Sequence, residues 1–213
     1  MKAKKVVLYC LAGLVAGCVP IVSLHPLFTK ETIVSDGGLL GAWTGDVNNV
    51  GTVWEFARFE EGSAEGLPKE LRGDFKSFYR LAISDRDGYK GSLAACLVKL
   101  NNRLFLDIFP DKFPSGESDV KQTKLLYNAF FFLPSHTFIR VDSIGADALK
   151  FHLTDDDEFG KLMNTEPKAI EYTETADRPI VTASTKELQA FVTKYADNPH
   201  LFPTELTLTR KTK

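Results

Sequence analysis

The chain predicts a mainly β protein: a single antiparallel meander that closes into a β-barrel, with a C-terminal helix and short helical decorations. Three observations carry this. Apolar and β-branched residues alternate in a succession of short runs from residue 41 to residue 210, each bounded by Gly, Pro, Asn or Asp. Only one stretch, residues 184–195, has a strong helical period with its own cap. No alternation of strands with long helices appears, so a parallel sheet is not expected. A meander of this length removes its exposed edges by closing.

The elements follow in order. Lys2, Lys4 and Lys5 precede an apolar run over residues 6–17, and small residues lead into Cys18. A basic stretch, a short apolar stretch and small residues are the parts of an export signal. Leu14-Val15-Ala16-Gly17-Cys18 resembles the lipobox of bacterial lipoproteins. The resemblance implies that Cys18 receives a diacylglycerol and becomes the new N-terminus, usually itself acylated (palmitate is the usual kind of chain). Residues 6–28 hold no charged side chain, so an uncleaved anchor is the alternative. Pro20 and Pro26 argue against one continuous helix there. The expected organisation is residues 1–17 as signal peptide, 18–35 as a tether and 36–213 as the barrel domain.

Residues 52–59 alternate as a strand, and residues 60–75 read as a polar loop with a helical turn near Pro68. Residues 78–83, 89–100 and 103–109 form a hairpin series turning at residues 85–88 and at Asn101-Asn102. With that second turn, Leu100 faces Arg103, Val98 faces Phe105 and Cys96 faces Asp107. Both faces of this pair are apolar, so one meets the core and the other a cover. Residues 125–133 read as a buried strand, and residues 137–141 and 148–153 as another hairpin. Thr154 is placed to cap a short helix over residues 155–163. Residues 179–182 are a short strand, Ser184 and Glu187 form a capping box for the main helix, and residues 205–210 close the sheet.

Composition narrows the function. Without its first 17 residues the chain keeps 23 basic and 28 acidic residues, a formal charge of −5. A nucleic-acid partner, which needs a basic footprint, is disfavoured. Of the three cysteines only Cys96 remains beside Cys18, so no disulfide framework is expected. Sixteen phenylalanines are enough to fill a core or line an apolar cavity.

Gly41-Ala42-Trp43 resembles the Gly-x-Trp signature that opens the first barrel strand of lipocalins. That resemblance implies a lipocalin-like barrel whose Trp43 packs across the closed end. A longer likeness, to uncharacterised bacterial lipoproteins, runs through residues 23–28, 39–43, 97–107, 133–141 and 181–189. It implies location and fold without an activity. Residue 19 is Val rather than Asp, so the lipoprotein resemblance implies the periplasmic side of the outer membrane where two membranes exist.

Candidate chemistry is sparse. His25, His136, His152 and His200 lack metal-ligand spacing, and no cofactor or metal is expected. Asp85-x-Asp87-Gly88 reads as a turn rather than a calcium loop. The acid run over residues 155–158 reads as a solvated helix start. Cys96 with His136 or His152 and Asp107 supplies the residue types of a nucleophilic triad, but a strand-buried cysteine is normally inert. Catalysis is not expected. The expected role is a membrane-anchored protein whose barrel binds or carries a small apolar ligand, a lipid among the candidates. Its expected lining is Trp54, Val98, Phe105, Asp107, Phe130 and Phe132, with Asp107 paired to Arg80, Arg140 or a ligand group. The alternative is an envelope scaffold lipoprotein with a solid core.

Overall fold

The computed structural model describes residues 20–47, 50–59, 69–86, 88, 90–111 and 133–212. Eight antiparallel strands close into a barrel, as the alternation requires. They are β3 (Gly41–Val47), β4 (Val50–Arg58), β5 (Phe78–Asp85), β6 (Lys90–Leu100), β7 (Arg103–Pro110), β8 (Thr137–Ile144), β9 (Ala148–Leu153) and β12 (Thr204–Arg210). Each pairs with the next in the chain. β12 pairs back to both β9 and β3, which seals the barrel. The β6–β7 register sets Leu100 opposite Arg103, Val98 opposite Phe105 and Cys96 opposite Asp107. Asn101 takes φ 53°, the left-handed conformation that the tight turn demands.

Outside the barrel lie β1 (Val22–Ser23), β2 (Ile33–Val34), β10 (Tyr172–Glu174), β11 (Pro179–Val181) and two helices, α1 (Asp156–Thr165) and α2 (Thr185–Lys194). β1, β11 and β10 form a small separate sheet, and β2 extends the β6 edge. Residues 179–182, expected as a strand, belong to this small sheet rather than to the barrel. Two short 3-10 segments, separated by a kink at Asp74, occupy Lys69–Ser77.

Alternation sorts the buried side chains into two clusters. One takes residues from all eight barrel strands, among them Trp43, Trp54, Phe56, Tyr79, Leu97, Leu106, Ile139, Phe151 and Leu208. It is the barrel interior. The other gathers Cys96, Val98, Phe105 and Phe138 on the outer face of β6–β8 with residues from the N-terminal segment, α1 and α2. α2 forms because Ser184 and Glu187 exchange hydrogen bonds in a capping box, and it buries Leu188, Phe191 and Val192 on one face. Each such side chain contributes about 1.5–3 kcal/mol on burial. Asp155, not Thr154, caps α1: its carboxylate accepts from Glu158 N, while Thr154 Oγ1 accepts from Ile21 N. Asp155 has the extended backbone of an N-cap and its carboxylate reaches Glu158 N, while the Thr154 hydroxyl is taken by the N-terminal segment.

Residues 20–35, expected as a tether, are packed against the barrel. Ile21 and Leu27 are fully buried. Thr185 Oγ1 donates to Pro26 O and Gln189 Nε2 to Leu27 O, both at 2.8 Å, so α2 clamps the segment down. Both hydrophobic clusters and every barrel strand are drawn from residues 21–210. Among the described residues, the N-terminal segment, the helices and the barrel are thus tied together through these two clusters.

Candidate functional site

The two ends of the barrel differ. At one end the chain enters through a 3-10 turn, Gly37–Leu39, and Gly41, whose φ of +117° suits glycine. Trp43 is fully buried there and donates Nε1–H to Leu39 O at 2.8 Å. The Arg210 guanidinium lies over the Trp43 ring and donates to Leu40 O and Gly38 O. Tyr79 Oη donates to Asp36 O and accepts from Asp36 N. This end is closed.

Above this floor the interior is filled by rings. Trp54 stacks on Phe151 with centroids 6.2 Å apart, and Phe56 meets Tyr79 edge-on. Towards the opposite end the packing opens into a cavity of about 130 Å³. Its inner wall is Trp54 of β4, Ile83 of β5, Leu93 of β6, Ile108 of β7, Thr137 and Ile139 of β8, and Leu153 of β9. Its rim includes Pro20, Val22, Phe109, His136 and Arg178.

His136 is fixed at that rim by three partners. Its Nδ1 lies 2.7 Å from Asp107 Oδ1, and its backbone exchanges two 2.8 Å hydrogen bonds with Ser23. Phe109 lies against the ring at 5.0 Å. The second carboxylate oxygen of Asp107 accepts from Leu27 N at 2.6 Å. An ionised carboxylate only accepts, so opposite an ionised Asp107 the Nδ1 of His136 is the donor of this bond. The same fully buried Asp107 thus positions a cavity residue and pins the N-terminal segment.

Of the residues expected to line the site, Trp54 does. Val98, Phe105 and Asp107 do not face the barrel interior: they point outward, Val98 and Phe105 beneath the helical cover and Asp107 beneath the N-terminal segment. The hairpin pattern left either face open, and the aromatic-rich one proved to be the covered exterior. Asp107 pairs with His136, whereas Arg80 sits beside Asp111 and Arg140 bonds Asp142. Phe130, Phe132 and Cys18 lie outside the described residues, as does most of the strand expected over residues 125–133. Ile83, Ile108, Thr137, Ile139 and Leu153 went unremarked as lining. Their signal was parity, since each alternates with an outward residue on its strand.

The triad residues are only partly brought together. His136 and Asp107 bond, but burial, and then the Asp107 charge, push the Cys96 thiol well above its usual range. It stays protonated and is no nucleophile. His152 bonds Asp142 and Arg140 instead. Asp155, Asp156 and Asp157 bring carboxylates within 4.8 Å of one another, with one Asp155 oxygen already accepting from the α1 backbone.

Comparison with known proteins finds no matching family model, no matching curated protein and no matching solved structure.

Proposed function

We propose that the chain is a lipoprotein, anchored to the membrane through Cys18, whose barrel takes a small apolar molecule at its open end without chemical conversion. The observation that carries this reading is the cavity at the barrel mouth, walled by aromatic and aliphatic side chains. Its size is close to that of an apolar cavity of about 150 Å³ that accepts benzene. It suits a compact molecule or the end of an acyl chain, not a whole lipid.

Position supports the same reading. Pro20 and Val22 border the cavity, and only two peptide steps separate Cys18 from Pro20. Two residues span at most about 7 Å. An acylated Cys18 would hold the mouth at the bilayer surface, where apolar molecules concentrate. The lipocalin-like character is supported by Trp43 packing across the closed end. Where two membranes exist, the periplasmic side of the outer one is the proposed site.

A second reading, an envelope scaffold, rests on the ring packing below the cavity, where Trp54 stacks on Phe151 and Phe56 meets Tyr79 edge-on. Native mass spectrometry of residues 20–213, followed by organic extraction, separates the two. A stoichiometric small molecule is the result expected for the binding barrel. A bare mass that stays bare after exposure to benzene-sized apolar molecules supports the scaffold.

A further inference from the structure

Two large apolar side chains are exposed at the open end of the barrel. Leu24 is 37% exposed and Leu133 69%, the exposed large hydrophobics among the described residues. A single exposed leucine is ordinary, but these two share a place. Ser23 and His136 exchange two backbone hydrogen bonds in an antiparallel bridge, which sets Leu24 beside Ser135 and leaves Leu133 three residues ahead of His136 on the same rim. Alternation puts both leucines on the face that continues the cavity. On one side of the bridge Ile21 and Ser23 are fully buried, whereas Pro20 and Val22 line the cavity and Leu24 follows them outward. On the other side Ser135 and Thr137 line the cavity, with Leu133 next in the same parity and Pro134 exposed beside it.

The chain that leads to this strip says what covers it. Residues 6–19 hold no charged side chain. Whether Cys18 is acylated or the run stays as an uncleaved anchor, the membrane attachment lies within a few residues of Pro20. The strip is therefore held next to lipid. The charges at the rim fit a zwitterionic surface. Arg178 borders the cavity, and its charge acts on Asp156 nearby. A zwitterionic headgroup offers phosphate to the cation and ammonium to the acid. Resting on the anchored reading above, we infer that the open end of the barrel docks on a zwitterionic phospholipid bilayer, with Leu24 and Leu133 immersed past the headgroups. Pro20 and Val22 then connect lipid to cavity, so a guest need not cross bulk water to enter.

The test measures depth. The full chain is purified from membranes in detergent, nitroxide-labelled and reconstituted into phosphatidylcholine vesicles. Labels are placed through Leu24→Cys, Leu133→Cys and Asp147→Cys, the last an exposed residue in the β8–β9 turn at the closed end. Each spectrum is read against the label taken up by the unmodified chain. The readout is collision with oxygen, which enters lipid, against collision with a nickel chelate, which stays in water. Leu133 is so exposed that Leu133→Cys is expected to fold as the wild type does, even if Leu24→Cys does not. Oxygen should dominate at the Leu24 and Leu133 sites, at a depth of about 5–10 Å, and the chelate at the Asp147 site. Equal chelate access at all three sites overturns the docking. Labels at Leu24 and Leu133 shielded from both reagents would place a protein on the strip and overturn it as well. The mass of the same sample reports on Cys18 separately. Acyl chains present with labels in water leave the anchored reading standing and sink the docking alone. An unmodified Cys18 with labels in lipid does the reverse.

Discussion

Arg210 lies with its guanidinium carbon 4.0 Å from the centroid of the Trp43 ring, joining the last barrel strand to the first. The same group donates to the carbonyls of Leu40 and Gly38, which would otherwise be left open at the end of the 3-10 turn. One side chain therefore closes the barrel floor, completes the turn and covers an indole. Arg210→Ala is expected to destabilise the protein by about 2–4 kcal/mol, the sum of a cation–π contact and charged hydrogen bonds. Arg210→Lys should recover less than half, because an ammonium cannot stack as a planar fork. Urea unfolding midpoints check both.

Asp107 links His136 at the cavity rim to Leu27 in the N-terminal segment. Asp107→Ala leaves the buried Leu27 amide unpaired and strips the part-buried His136 ring of its partner, at an expected cost of about 3 kcal/mol. Asn keeps one acceptor and presents an amide to the other donor, so Asp107→Asn should fall between wild type and Ala. Hydrogen exchange of the Leu27 amide should accelerate in Asp107→Ala before global unfolding does. Unchanged exchange at Leu27 would show that the carboxylate does not hold the segment.

Cys96 should be silent to thiol reagents in the folded protein. Its sulfur is buried on the outer face of β6, and burial followed by the Asp107 charge disfavours the thiolate. In residues 20–213 no label is expected until denaturant is added, and then one thiol should react. Rapid labelling at neutral pH would contradict the burial.

The barrel was legible because its signals are local. Asn101-Asn102 fixed the β6–β7 register, and the Ser184–Glu187 box announced α2. The inward face was not legible. Val98, Phe105 and Phe109 on one side look no less core-like than Leu97, Leu106 and Ile108 on the other, because the outer face carries its own cover. What decides the matter is long-range: α2 clamping residues 26 and 27, and Asp107 reaching Leu27 across 80 positions of sequence. The His136–Asp107 pair was hidden for the same reason, since Asp107 lies on β7 and His136 just ahead of β8, 29 positions further along the chain. No periodicity registers such a contact.

Acid should weaken the protein partly through Asp142. Burial alone would raise its carboxyl, but the hydrogen bond and charge of Arg140, with His152 adding, outweigh burial and hold it below the usual range. A carboxyl lowered in the folded state stabilises above its unfolded value of about 4, and that share is lost as pH falls through the lower folded value. Asp142→Asn should therefore lower the urea midpoint at about pH 7, and the gap to wild type should close by about pH 2. A gap that persists in acid would mean that the charge is not the source.

The most direct test of the mouth cavity is a benzene titration of residues 20–213 followed by methyl NMR. The account predicts saturable shifts at Ile83, Ile108, Ile139 and Leu153, which wall the cavity, with Leu39 and Leu208 at the closed half of the core unmoved. Shifts that are absent, or that fall on outward-facing Val98 and Leu188 instead, would contradict a binding site inside the barrel.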